Sequence, residues 1–95
     1  DEESLSEIRD AMRDVTQASN GTATQAFGDL SISTAGKTGT AESGQEQPHS
    51  WFAGFVPGDS PEMTIVSMAE YAGEGSNVAA PMAREAVDAW LASRE

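Results

Sequence analysis

Near the start of the chain, Leu5, Ile8, Met12 and Val15 recur at helical spacing, so one face of the predicted helix is apolar. The residues before them are acidic, and Ser4-Leu5-Ser6-Glu7 reads as a capping box that opens this helix. Acidic side chains suit the positive end of a helix dipole. Asn20-Gly21 is the expected close. Residues 22–31 lose the period and read as a polar connection holding one aromatic, Phe27. A Thr-rich strand is predicted from Ile32 to Thr40, with two glycines inside it. Residues 41–49 are polar and turn-like. Trp51 to Val56 make an aromatic second strand, ended by a turn through Pro57, Gly58, Asp59, Ser60 and Pro61. Met63 to Tyr71 make a third strand with Ile65 and Val66 at its centre, and Gly73 to Ser76 a further turn. A final helix, near 79–92, has Pro81 in its first turn and an apolar stripe of Ala79, Ala83, Ala86, Val87, Trp90 and Leu91. The order helix, strand, strand, strand, helix with short connections predicts an α+β fold around an antiparallel three-stranded sheet. The helix should pack on the sheet through Ala83, Val87 and Trp90.

Such a sheet has two open edges, which folded proteins normally protect. That is a first hint that strands are missing. With 95 residues the chain can build one modest core, read as one incomplete domain over 1–95. It contains no repeat and no low-complexity segment.

Charge and composition narrow the functions. A net charge of −11 argues against partners bound through phosphates, so nucleic acid is a poor fit. The absence of cysteine rules out disulfides and thiolate metal sites. With one histidine, and 16 carboxylates that show no calcium-loop spacing, neither a metal nor a cofactor is expected. No apolar run approaches membrane-spanning length and no signal peptide is visible. The chain begins at Asp1 rather than Met, which suggests processing or excision from something longer.

Lys37 is the only lysine, within Gly36-Lys37-Thr38-Gly39-Thr40. A phosphate-binding loop would need a glycine where Ser31 stands, and would run from a strand into a helix. Neither condition holds. A surface lysine guarding an edge strand is the plain alternative. Against it stand the glycines at 36 and 39, which are costly inside a strand unless something approaches the backbone. Thr38 and Thr40 also share one face by the strand's period of two. Two hydroxyls, an ammonium and little bulk suit an extended peptide bearing a carboxylate. A serine–histidine–aspartate arrangement around His49, the only histidine, is disfavoured by its Pro-bounded turn, and Trp51, Phe52 and Phe55 read as core and hairpin packing rather than a ligand cage.

Four motifs in order then carry a resemblance. Lys-Thr-Gly-Thr-Ala-Glu at 37–42, Ser50-Trp51-Phe52-Ala53-Gly54-Phe55-Val56-Pro57, Ala79-Ala80-Pro81-Met82-Ala83 and Asn20-Gly21-Thr22-Ala23 together resemble the class B penicillin-binding proteins. The likeness covers nearly the whole chain and points to the C-terminal part of their transpeptidase domain, within a penicillin-binding/β-lactamase-like fold.

The resemblance implies serine acylation. In that family the nucleophile lies in a Ser-x-x-Lys motif, a second motif is Ser-x-Asn, and Lys-Thr-Gly lines the active-site wall. Only the third occurs here. With Lys37 the sole lysine, the first motif would need serine at position 34, which is Thr34, and no serine has asparagine two positions on. Lys37 is thus expected to join the network of the active serine, and Thr38 and Thr40 to bind the carboxylate of a stem peptide or β-lactam. Gly39 would leave room for the acyl donor, and the Thr40 N–H would be an oxyanion donor. The resemblance further implies an extracytoplasmic protein anchored by a segment absent here. The partner of this chain would be the missing N-terminal part of the domain, and without it the 63–71 edge would self-associate. Rival readings are a serine β-lactamase or β-lactam sensor fragment, and a non-catalytic α+β interaction module.

Overall fold

The computed structural model describes residues 1–44 and 47–94. Part of the predicted 41–49 turn, Gln45 and Glu46, therefore lies outside the described residues. Helix α1 spans Glu2–Gln17, the short α2 Thr24–Phe27, strands β1 Ala35–Ala41, β2 His49–Val56 and β3 Met63–Ala69, and helix α3 Ala79–Ser93. The strands lie in chain order, each antiparallel to the next, in agreement with the expected α+β meander.

The opening of α1 differs from the predicted capping box. Asp1 is the N-cap, its carboxylate accepting from the Ser4 N–H at 2.8 Å. Ser4 therefore sits inside the first turn, where Glu2 and Glu3 face the positive end of the dipole. The buried face also differs. Leu5 and Ile8 are exposed, whereas Thr16 is fully buried and Val15 packs on the core. The reason is polar: the Thr16 hydroxyl donates to the Thr34 carbonyl at 3.0 Å, and Gln17 Nε2 donates to the Thr34 hydroxyl at 2.8 Å. Only the C-terminal half of α1 is drawn onto the start of β1. The same bonds, with Gly58 N–H donating to the Ser33 carbonyl, hold residues 33–34 out of the ladder. The first strand begins at Ala35 rather than Ile32.

The predicted connection at 22–31 contains α2. Its Phe27 is buried and stacks on Phe52, ring centroids 5.2 Å apart. Phe52 is the centre of the core. Its ring lies across Gly36, where a Cβ would come within 2.3 Å of the Phe52 ring. This glycine is thus accounted for by internal packing and not by an approaching ligand. Ala23, Val56, Ala79, Ala80, Ala83 and Val87 complete the core, with Trp90, Leu91, Met63 and Ile65 packed on its rim. The expected contacts of Ala83, Val87 and Trp90 are present. Ala86 departs from the predicted stripe: it is exposed, and Ala80 is buried instead.

Strand β3 stops at Ala69, short of the expected Tyr71, because the chain turns there. Tyr71 has φ 51°, in the left-handed region, and its N–H donates to His49 Nδ1 at 3.1 Å. The rings of His49 and Tyr71 are tilted together 4.6 Å apart, and His49, the first residue of β2 rather than part of the predicted turn, closes the end of the sheet.

One face of the sheet, through Phe52, Val56 and Ile65, meets α2 and α3. On the other, Trp51 pairs with Met68 and Ala53 with Val66, and Trp51, Val66 and Met68 are exposed. Arg84 ties α3 to the 26–29 segment: it donates to the Ala26 carbonyl at 2.8 Å and pairs with Asp29 at 2.6 Å and Asp88 at 2.9 Å.

Candidate active site

Strand β1 carries all four predicted site residues. Its register sets Lys37 opposite Ala53, Thr38 opposite Phe52, Gly39 opposite Trp51 and Thr40 opposite Ser50. Among the described residues β1 has a strand neighbour on one side only, so alternate backbone groups along its outer edge have no ladder partner.

Lys37 is exposed, and its ammonium donates to the Thr38 carbonyl at 2.8 Å. It lines a shallow cleft of about 300 Å³ with Asp14, Asn20, Gly21 and Thr22, between the end of α1 and β1. A larger hollow of about 530 Å³, beside Gln25, Asn77, Pro81 and Arg84, holds none of the predicted site residues. At Gly39 an added Cβ would meet only the Trp51 Cβ, at 3.4 Å. Gly36 and Gly39 therefore differ in kind: the first is filled from inside the fold, whereas a Cβ at the second would make only ordinary contact with Trp51, with Gly75 close against its backbone.

Thr38 and Thr40 each have a partner that the sequence did not suggest. Thr38 Oγ1 lies 2.8 Å from Thr22 Oγ1. Thr40 Oγ1 accepts from the Gly75 N–H at 3.3 Å. Ser50 makes the second contact possible. It is fully buried, its hydroxyl donates to the Glu74 carbonyl at 2.9 Å, and it accepts from the Ala79 N–H at 2.9 Å. The 74–79 loop is thereby clamped over β2, which carries Gly75 to Thr40. Ser50 and Thr22 both fall within motifs of the resemblance, but no periodicity marks either contact.

Chemically, the strand offers an ammonium, two hydroxyls 2 residues apart and an open backbone edge. That set suits an extended chain ending in a carboxylate. The profile of the penicillin binding protein transpeptidase domain matches residues 1–88. The chain belongs to that family. The likeness to class B penicillin-binding proteins read from the four motifs is thus borne out.

Individual relatives agree. The chain is 35% identical to the peptidoglycan D,D-transpeptidase MrdA of Haemophilus influenzae over 87% of its own length. Its fold superposes on Pseudomonas aeruginosa PBP2, crystallised with WCK 5153, with a TM-score of 0.87 at 33% identity over 96% of this chain. It also matches penicillin-binding protein A of M. tuberculosis, solved as an imipenem acyl-enzyme complex, with a TM-score of 0.58 at 34% identity over 65% of this chain. The chain spans 15% of the Haemophilus transpeptidase, 20% of the Pseudomonas chain and 14% of the mycobacterial one.

Proposed function

We propose that this chain supplies the Lys-Thr-Gly wall of a peptidoglycan D,D-transpeptidase, as the C-terminal portion of its catalytic domain. The observation that carries the reading is β1 itself, an edge strand with Lys37, Thr38, Gly39 and Thr40 in line and room for no more than a small side chain at Gly39. Peptidoglycan D,D-transpeptidases among the relatives, and an imipenem acyl-enzyme among the structural neighbours, support the chemistry.

In this reading a serine outside the chain attacks the carbonyl of the penultimate residue of a stem peptide. The serine proton passes through a network that includes the Lys37 ammonium, and terminal D-Ala leaves with a proton on its nitrogen. An amine of a neighbouring strand then attacks the ester, releases the serine and forms the cross-link. Thr38 and Thr40 hold the substrate's carboxylate, charge-assisted hydrogen bonds that a neighbouring ammonium strengthens. The Thr40 N–H is one of two donors to the oxyanion. β-Lactams present the same carboxylate and acylate the same serine, but the acyl-enzyme they form deacylates slowly. The remaining part of the domain docks on the outer edge of β3 and on the exposed Trp51–Met68 face, and the assembled enzyme works at the extracytoplasmic face of the cell membrane.

The test is penicillin acylation of the complete protein. Lys37→Ala is expected to lower the rate with both stem peptide and β-lactam by about 10²-fold or more. Lys37→Arg should not restore it, because a planar fork replaces a compact ammonium. Unchanged kinetics in the Ala variant would reduce Lys37 to a surface charge.

A further inference from the structure

The two threonines of the proposed carboxylate site are not equivalent in how their protons are set. A hydroxyl has one proton to donate and two lone pairs. A threonine that must donate to a carboxylate needs its proton unspent, and anything else it bonds must donate to it. At Thr40 this is guaranteed, because its partner is the Gly75 backbone N–H, which can only donate. At Thr38 the partner is another hydroxyl, that of Thr22, and either could be the donor.

Thr22 is placed for this contact by a turn that does not need its side chain. Gly21 N–H donates to the Ala18 carbonyl at 3.0 Å, and Ala23 N–H to the Val15 carbonyl at 2.8 Å. The Thr24 hydroxyl also donates to the Ala18 carbonyl. Ala23 is buried as the anchor of the turn. Between these fixed neighbours Thr22 is exposed, on the cleft it shares with Lys37, with its hydroxyl on Thr38.

We propose that Thr22 is a positioning residue for Thr38: its hydroxyl donates to Thr38 Oγ1 at 2.8 Å and so leaves the Thr38 proton for the substrate's carboxylate. This rests on the reading of Thr38 as a carboxylate donor. A carboxylate arriving at Thr38 selects this orientation, since the reverse one would turn a lone pair towards it. The two bonds then run in one direction, Thr22 to Thr38 to carboxylate, and each polarises the next. Thr22 never touches substrate. It acts only on ligands that carry the negative group, which distinguishes it from a residue that merely holds the fold.

The experiment compares acylation of the complete protein by benzylpenicillin and by its methyl ester, which lacks the anionic carboxylate. The ratio of the two rates is internal to each variant, so a loss of folded protein cancels. Thr22→Val is expected to lower the rate with the acid about 5- to 10-fold and leave the ester unchanged. Thr22→Ser should restore the ratio. In a Thr38→Val background, Thr22→Val should have no further effect. If Thr38→Val collapses the ratio but Thr22→Val does not, or if Thr22→Val lowers acid and ester equally, the role of Thr22 is overturned while the carboxylate reading stands. An additional drop in the Thr38→Val background would overturn it as well. If Thr38→Val itself leaves the ratio intact, the carboxylate reading fails and the role of Thr22 falls with it.

Discussion

Phe52 shows how one side chain can dictate several others. It is buried against Phe27 and spreads over Gly36 on the neighbouring strand. Truncation to Ala would leave a cavity beneath the Lys-Thr-Gly strand, and Phe52→Ala is expected to destabilise the fold by about 3–5 kcal/mol in denaturant titration. Gly36→Ala tests the same contact from the other side: with 2.3 Å to the ring, overpacking should cost about 1–3 kcal/mol. Gly39→Ala, whose Cβ would meet only the Trp51 Cβ at 3.4 Å, should be far milder for folding. A second residue-scale effect belongs to Asp29. Hydrogen bonding to Arg84, and then the guanidinium's charge, hold its carboxyl below the ordinary value of 3.8. A depressed folded value means stabilisation that is complete above the unfolded value and lost as pH falls through the folded one. Thermal unfolding of Asp29→Asn and the natural chain should therefore differ near neutral pH and converge in acid. The difference should be small, because Asp29 is exposed.

At the scale of elements, α1 and β3 are the two that this chain leaves half-satisfied. α1 buries only its last turns, and Leu5 and Ile8 project into solvent despite their helical spacing. Its amphipathic pattern describes a face that nothing among the described residues covers. β3 pairs with β2 along one edge and has a free outer edge among the described residues, with exposed Val66 and Met68 on the strand. Buried ladder groups without partners cost about 1–3 kcal/mol each, so such an edge takes water or another strand. The 95-residue chain by itself is expected to self-associate through this edge, or to bind the rest of the transpeptidase domain when it is supplied. Sedimentation at rising concentration, with amide exchange over 63–69, checks this. A stable monomer whose β3 amides are all protected would contradict it.

For the whole molecule, the catalytic question turns on what Lys37 can reach. No serine in this chain stands in a Ser-x-x-Lys motif, because position 34 is Thr34. Thr34 serves the fold instead, buried with its carbonyl and hydroxyl bonded to Thr16 and Gln17. The isolated chain is expected not to be labelled covalently by penicillin, while the complete protein is labelled in equal moles. Mass spectrometry of both under the same conditions decides it.

What the sequence determined by itself is local or motif-borne. The aromatic run of β2, the apolar centre of β3 and the stripe of α3 each lie within one element, and the connections between them are short, so the strand order and the last helix could be read directly. Lys37, Thr38, Gly39 and Thr40 stood out as candidates because their types and spacing occur together in one short stretch. The tertiary structure alone decided the rest. α2 has only four residues, too few to show a period, and only the Phe52 ring reveals why Phe27 is buried. The burial of Thr16 in place of Leu5 and Ile8 follows from an acceptor 18 residues away. The partners that orient the two threonines, Thr22 and Gly75, lie 16 and 35 residues from them along the chain. Apolar burial repeats with the geometry of an element and so leaves a period in the sequence. A hydrogen bond between distant polar groups joins two points once and leaves none.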